Sequence, residues 1–215
     1  MNRKKLCLFG MLIALCGVLA LSGCSKSGDG DKDGSKDGGG ASAEKAETQE
    51  PKGPDFGSMP EDLCDLESIK TISMDVIDNQ VFIVTDQENL WGGQTIDDLV
   101  EMSKSMAEGF MDIVPEPENC EVRGAAVTCD EALETLNKAN GGAYDLEVMK
   151  KNMDTLGVEE CGVLTQEMDA WGSRYKTLYY VGKIDGQWKN IFTVSQQQLD
   201  MHEDKDKEEE TSEGE

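Results

Sequence analysis

Histidine, cysteine and paired carboxylates perform most enzymatic chemistry, and this chain supplies them unevenly. Its one histidine, His202, stands just before an acidic C-terminal run. Ser-His-Asp and Cys-His catalysis are therefore excluded from the preceding residues, and the usual catalytic zinc site would lack its imidazole ligand. The sequence contains neither a P-loop nor a Gly-x-Gly-x-x-Gly motif, so it predicts no cofactor and no metal site. Asp and Glu total 44, and acid–base chemistry by two carboxylates, as in glycoside hydrolysis, stays open.

Four cysteines lie in the predicted domain with no Cys-x-x-Cys spacing among them: Cys64, Cys120, Cys129 and Cys161. That spacing gives no support to a zinc site or a dithiol redox centre. In an exported protein, four cysteines favour two disulfides with three alternative connectivities, and buried free thiols are the other interpretation. If residues 121–127 form a straight strand, Cys120 and Cys129 lie ~30 Å apart, beyond the ~7 Å that a bridge allows. Each would then pair with Cys64 or Cys161.

Two tryptophans, Trp91 and Trp171, lie in glycine-containing loops. Exposed loop tryptophans stack on sugars or anchor protein partners. The alternative is that each ring folds back to cap a small core. Together with Tyr180 in the final predicted hairpin, these tryptophans are the candidate ligand-binding residues.

The first 23 residues have the three parts of an export signal. Residues 3–5 are Arg-Lys-Lys, and residues 6–19 are apolar and uncharged. This apolar run is shorter than the ~20 residues that a membrane-spanning helix needs. The segment Leu21-Ser22-Gly23-Cys24 resembles the lipobox of bacterial lipoproteins, which ends in an obligatory cysteine. A plain secretory signal is the alternative.

The lipobox resemblance implies cleavage before Cys24 and transfer of diacylglyceryl to its sulfur, with acyl chains of the palmitate type. Two acyl chains hold a protein stably on a bilayer, whereas a single chain binds only marginally. The resemblance therefore implies a lipoprotein on the outer face of the cell membrane, with Cys24 as its anchor.

Composition divides the remainder of the chain into a tether, one domain and a tail. Residues 24–60 are rich in Gly, Ser, Asp, Lys and Glu, and residues 201–215 are strongly acidic, so both are predicted to be disordered. Residues 61–200 have an ordinary length for one domain and are predicted to fold. The formal net charge of −24 argues against binding to nucleic acid, which requires clustered Lys and Arg.

In the first third of the domain, alternating apolar residues predict a strand over 69–77. Asp78-Asn79 has turn chemistry, and residues 80–85 are predicted to form the partner strand. A helix is then predicted to begin at Thr95, with Asp98 nearly completing a capping box, and to stop at Pro115. Its expected apolar stripe comprises Ile96, Leu99, Val100, Met106, Phe110, Ile113 and Val114.

Residues 121–127 are predicted to form a short strand, and two further helices follow. The first begins at a capping box of Thr128 and Glu131 and ends at Asn140-Gly141-Gly142. The second covers residues 145–156 and is closed by Gly157. Residues 158–168 then return to strand.

The last predicted element is a hairpin over 177–194 around Asp185-Gly186. A two-residue turn places Tyr179 opposite Phe192. One face then carries Tyr179, Val181, Trp188, Phe192 and Val194. The other face carries Leu178, Tyr180, Ile184 and Ile191. We expect the first face to pack on the helix bearing Leu99, Met106 and Phe110, and the second to meet further protein or a ligand.

These elements predict an α+β domain with about three helices packed on a curved antiparallel sheet of five or six strands. The helices and the long closing strands, which end in Tyr-Tyr-Val-Gly-Lys-Ile-Asp-Gly-Gln-Trp-Lys at 179–189, are similar to NTF2-like and cystatin-like modules of bacterial lipoproteins. The resemblance implies either a non-enzymatic binding module or an enzyme with Asp or His inside the sheet.

Three hypotheses follow for the function. The favoured one is a lipid-anchored extracytoplasmic protein with a non-catalytic binding or envelope-assembly module, whose partner is an unknown envelope protein or small ligand. The alternative is a small extracytoplasmic hydrolase that uses carboxylates alone. A purely structural spacer is the third.

Overall fold

The structure is a computed structural model that describes residues 55–57 and 59–201; of residues 60, 61 and 91 it describes only the backbone. The predicted leader, the lipidation site Cys24, the tether up to residue 54 and the tail from His202 onwards lie outside these residues. Within the described ranges, no helix is long and apolar enough to cross a membrane.

Five bounded helices and four strands make up the described chain, followed by a helical stretch at residues 196–201. The helices are α1 (Met59–Asp62), α2 (Leu66–Val84), α3 (Ile96–Met111), α4 (Cys129–Ala139) and α5 (Leu146–Leu156). The strands are β1 (Glu118–Val127), β2 (Glu160–Ala170), β3 (Ser173–Ile184) and β4 (Gln187–Ser195). All pair antiparallel in the order β1-β2-β3-β4. The α+β class is confirmed, but the described sheet has four strands instead of five or six, and the helices outnumber the three expected.

The first part of the domain is helical, which corrects the strand–turn–strand prediction for residues 69–85. α2 runs for 19 residues through the supposed turn, and the Asp65 side chain caps it by accepting a hydrogen bond from the Ser68 N–H. Its β-branched residues favour a strand by propensity. Their spacing, however, places the buried residues along a helix: Leu66, Ile69, Val76, Ile77, Gln80, Val81 and Ile83.

The three predicted helices are confirmed, although α3 ends at Met111, before the expected stop at Pro115. α3 begins at a complete capping box between Thr95 and Asp98, and α4 begins at one between Thr128 and Glu131. α5 is followed by Gly157, whose φ of 77° lies in the left-handed region that glycine adopts without strain. These caps determine where each helix starts and ends, and hence which residues meet the rest of the fold.

The final hairpin forms around Asp185-Gly186 as predicted, but a bulge changes which residues share a face. The register shifts next to Tyr180, so Phe192 lies opposite Tyr180 and not opposite Tyr179. The extra residue on β4 moves Phe192 and Val194 to the face of Tyr180. The predicted division of the hairpin into two faces is therefore wrong at these two positions.

One face of the sheet packs against α4 and forms the main core. Tyr180 stacks there on Phe192, with ring centroids 4.5 Å apart. The helices contribute the buried side chains Leu133, Leu136, Met149 and Met153. The buried amide of Asn152 donates hydrogen bonds to the carbonyls of Ile83 and Thr85, which joins α5 to the end of α2.

The opposite face of the sheet is covered by the segment that leads into the domain. Phe56 and Leu63 pack there against a cluster that includes Leu164, Tyr179 and Val181. Phe56 also meets Trp188 edge-on, with ring centroids 4.9 Å apart. Both faces of the hairpin are therefore core.

Two glycines make room for Phe56. Gly124 and Gly162 lie on neighbouring strands beneath its ring, and a Cβ atom added to either glycine would come within 2.6 Å of a ring carbon. A glycine inside a strand weakens the strand unless another group approaches closely. Here the aromatic ring is that group.

Replacing Gly162 with alanine is expected to lower the free energy of unfolding by about 1–3 kcal/mol, because the new methyl group overlaps the Phe56 ring. Phe56→Ala should remove the overlap, so the double variant should lose less than the sum of the two single losses. Urea denaturation of the wild type and the three variants measures this coupling. Strictly additive losses would show that Phe56 does not lie on Gly162.

α2 covers the outer edge of β4. The Asn79 side chain donates a hydrogen bond to the Asn190 carbonyl at 2.7 Å, and Gln80 accepts one from the Thr193 N–H at 3.4 Å. These side-chain amides satisfy backbone groups that would otherwise be a template for pairing with another strand.

α3 packs on α2, so the prediction that the hairpin packs on α3 is wrong. Leu99 and Ala107 join a small cluster with Ile77 and Val81 of α2. The buried residues of α3 are Ser103, Ala107 and Met111. Ile96, Leu99 and Val100 of the expected apolar stripe pack in this cluster, whereas Met106 and Ile113 of the same stripe are exposed.

Two disulfides join the four domain cysteines of the described chain. Cys64–Cys120 ties the covering segment to β1, with Cα atoms 5.7 Å apart. Cys129–Cys161 ties the first turn of α4 to the start of β2, with Cα atoms 5.2 Å apart. Cys120 lies in β1, and residues 121–127 of that strand separate it from Cys129, as the sequence-based argument against a bridge between them requires.

Candidate functional site

Tyr180, one of the three candidate contact residues, is part of the main core. Its side chain is 5% exposed and stacks on Phe192, and burial raises the pKa of its hydroxyl group. The sequence pattern places Phe192 on the opposite face from Tyr180. The bulge in β4 brings the two rings to the same face of the sheet, where they stack. A contact surface must therefore be sought in the tryptophan loops.

Trp91 lies in a 3-10 turn, Trp91–Gly93, that follows α2. Gly92 and Gly93 have φ values of 65° and 79°, so the backbone makes a turn that depends on glycine. The Trp91 side chain lies outside what the structure describes. Trp171 is thus the one candidate whose exposed side chain is described.

Trp171 stands at the tip of the β2–β3 hairpin, in a two-residue turn with Gly172. The φ values of these residues are 49° and 73°. The turn between β3 and β4 is similar, with φ values of 52° at Asp185 and 74° at Gly186. Such turns favour Asn or Asp before glycine, because these residues tolerate the left-handed region and a bulky side chain there is strained. The β3–β4 turn thus has a favoured residue, Asp185, at the position where the β2–β3 turn has a strained tryptophan, Trp171.

The Trp171 side chain is presented to solvent. It is 39% exposed and meets Tyr175 of β3 edge-on, with ring centroids 6.0 Å apart. β4 pairs with β3 only from Thr177 onwards, so the hairpin extends past the end of β4. Tryptophan and tyrosine are enriched among the residues that carry most of the binding energy at protein interfaces.

A polar network joins the strands at the base of this turn. Asp169 accepts hydrogen bonds from the Asn119 amide at 2.8 Å and from the Arg174 guanidinium at 3.3 Å. Arg174 also donates to the Asn119 carbonyl at 2.9 Å and pairs with Glu167 at 3.4 Å. The hydrogen bond from Asn119 and the nearby Arg174 hold the pKa of Asp169 below its usual value. We call this surface the Trp171 tip, comprising Asn119, Asp169, Trp171, Arg174 and Tyr175.

The carboxyl groups whose pKa is clearly shifted are shifted downwards. Hydrogen bonds from helix N-termini lower the pKa of Asp65, Asp98 and Glu131. A general acid working near neutral pH needs a raised pKa, so these carboxylates are not suited to that role and serve as helix caps. Within the described ranges, no three or more His, Cys, Asp or Glu side chains are placed to hold a metal ion.

Sequence reasoning identifies Trp171 but misses the residues that hold it. The predicted strand over 158–168 stops short of the tip, so Asp169, Arg174 and Tyr175 are left in a loop. The sequence does contain one signal for this hairpin. Trp171 is followed directly by Gly172, and the pair stands between two runs of strand-forming residues.

No family model, curated protein or solved structure matches the chain. Its function is therefore inferred from its own residues and geometry.

Proposed function

We propose that the protein is a lipid-anchored extracytoplasmic protein whose α+β domain is a non-catalytic binding or envelope-assembly module that uses the Trp171 tip as its contact surface. The observation that carries the proposal is the tryptophan with φ of 49° in a turn that favours Asn or Asp. Strained residues of this kind cluster at catalytic sites and ligand-binding sites, where the surrounding structure holds an unfavourable backbone conformation in place.

The position of the tip supports a role in contact away from the anchor. Phe56, the first described apolar residue, stands near the end of the predicted tether and packs over Gly162 near the start of β2. The tip follows Ala170 at the other end of that strand. At ~3.3 Å per residue, the tip lies ~25 Å from the point where the tether joins the fold.

The hydrogen bonds at the base of the tip also support recognition. The network around Asp169 and Arg174 joins three strands in the free domain. A contact surface that is ordered beforehand loses less conformational entropy on binding, and its affinity is correspondingly higher. The downward pKa shifts of the capping carboxylates give no matching support to the hydrolase alternative.

Trp171→Asn is expected to remove binding and leave the fold intact. Asn tolerates the left-handed region, which relieves strain, while loss of the contact with Tyr175 acts in the other direction. The two effects offset, so the free energy of unfolding should change by less than about 1 kcal/mol. Chemical cross-linking of the full chain in intact cells should show partner adducts for the wild type and little or none for Trp171→Asn.

Asp185→Asn is the matched control, because it alters the similar turn between β3 and β4. This variant should keep the wild-type adducts and the wild-type stability. Identical adducts for all three proteins would contradict a contact role for Trp171. A loss of stability in Trp171→Asn comparable to that of a core substitution would show instead that the ring serves the fold.

Cys24→Ala tests the proposed anchor. Without the sulfur that accepts diacylglyceryl, the chain should appear in the medium or stay unprocessed, because one covalent lipid site holds it on the membrane. Cell fractionation followed by mass measurement distinguishes these outcomes. Mature protein that still sediments with membranes would show a second anchor.

A further inference from the structure

A second apolar surface lies on α3, beside its contact with α2. Met102, Met106 and Ile113 are 37%, 43% and 52% exposed, and Phe110 is partly buried. At about 100° per residue, these positions follow one line along the helix and the turn after it. We call these four residues the Met106 stripe. It holds three of the five large exposed hydrophobic side chains of the described residues.

The stripe is not needed to hold α3 in place. Ser103, Ala107 and Met111 make the buried face of α3 that packs on α2. Shortening Met102 or Met106 should therefore leave this helix pair in place. Contiguous exposed apolar side chains on a folded domain mark interaction surfaces.

One side of the Met106 stripe is acidic. Helix geometry places Asp98, Glu101 and Asp112 along this side. α3 contains four acidic residues and one lysine, a net charge of −4 + 1 = −3. That lysine, Lys104, is already paired with Asp78 at 2.7 Å.

A groove between α2 and α3 lies on the other side of this helix pair from the stripe. It has a volume of about 370 Å³ and is lined by Asp75, Glu108 and Asp112, together with Lys70, Thr71 and two methionines. At about 100° per residue, Glu108 and Met111 point about 120° or more away from Met102 and Met106, so the groove is not part of the docking surface.

We infer that the Met106 stripe docks an amphipathic helix whose apolar face is bordered by Lys or Arg. Methionine-rich surfaces adapt to helices of different shape. A docked amphipathic helix presents apolar anchors at i, i+4 and i+7 along one face, and these can pack along the line of the stripe. The acidic border disfavours an anionic lipid surface. It also disfavours a second copy of this chain, which would bring two acidic borders together. A helix with a basic border complements both parts of the surface.

The probe is a synthetic peptide of ~18 residues with Leu at helical spacing and Lys elsewhere. The full chain, labelled at its methionine methyl groups, is held in neutral phosphatidylcholine nanodiscs, and empty nanodiscs provide the background. The NMR signals of Met102 and Met106 should shift on titration, while those of buried Met149 and Met153 stay in place. The double variant Met102→Ser/Met106→Ser should weaken binding at least about tenfold.

Two controls make the result specific. A peptide of the same spacing with Glu in place of Lys should not bind, and Trp171→Asn should bind the Lys peptide as the wild type does. Absence of binding, equal binding of the Glu peptide, unchanged affinity of the double variant, or shifts confined to other methyl groups would each overturn the inference. Because the Trp171 tip is a separate surface, failure here leaves its role to its own test.

Discussion

Replacing Tyr180 with alanine is expected to lower the free energy of unfolding by about 3–5 kcal/mol, comparable to the loss of a fully buried aromatic residue. Tyr180 is 5% exposed and stacks on Phe192, which is completely buried. The change would leave a cavity in the main core and remove an aromatic pair worth about 0.5–1.5 kcal/mol beyond its buried area. Urea denaturation followed by far-ultraviolet circular dichroism measures the loss.

Trp188→Ala should cost less than Tyr180→Ala, about 2 kcal/mol, because Trp188 is only partly buried on the opposite face. Tyr180→Phe serves as the control, since it keeps the stacked ring and should retain most of the stability. If Tyr180→Ala folded as stably as the wild type, its face would be a contact surface after all, and the tip would lose its place as the candidate site.

Removing the Cys64–Cys120 disulfide by a double serine substitution is expected to cost about 4 kcal/mol. The two cysteines are 56 positions apart, and the loop-closure entropy of a chain of this length gives that magnitude. The bridge also holds the segment that carries Phe56 against the sheet. Since small domains have ~5–15 kcal/mol of total stability, the variant should unfold in mild denaturant.

Cys129→Ser/Cys161→Ser is the natural comparison, because its closed loop is shorter, with a separation of 32. Its loss should be slightly smaller, about 3.7 kcal/mol by the same relation. The measurement is urea unfolding of both variants, after mass spectrometry with an alkylating reagent has verified the bridges in the wild type. Four alkylatable thiols in the native wild type would contradict both pairings.

The elements with strong local signals could be predicted from the sequence. Capping pairs at Thr95–Asp98 and Thr128–Glu131 and the glycine at 157 mark the bounds of three helices. Asp185-Gly186 predicts the final turn. These features depend on neighbouring residues, so no knowledge of the tertiary fold is needed.

The incorrect predictions fall where tertiary contacts determine the secondary structure or the strand register. Residues 69–85 contain β-branched side chains that favour a strand, but packing against β4, α3 and α5 favours a helix whose buried residues face all three. The bulge beside Tyr180 has no local signature, and one extra residue reverses the face of everything after it. The tightly packed Phe56 is missed because it stands at the end of a polar segment, and its glycine partners are over sixty residues away.

Trp171 could be identified from the sequence as a candidate, but its setting could not. Its backbone φ of 49° is known only from the structure, and the strain follows because a tryptophan tolerates this left-handed conformation less well than Asp185 does in the similar turn. The network that braces it joins Asn119 of β1 to Arg174 of β3, a contact across 55 positions of chain. Local pattern carries no information about such a pairing.

The Trp171 tip is proposed as the surface through which the domain contacts its partner. Its most direct test places a photo-cross-linking amino acid at position 171 of the full chain in living cells, and the same amino acid at position 185 of a matched strain. Illumination should yield discrete adducts of fixed mass from position 171 and none from position 185. Equal adducts from both positions, or none from position 171, would contradict the proposal.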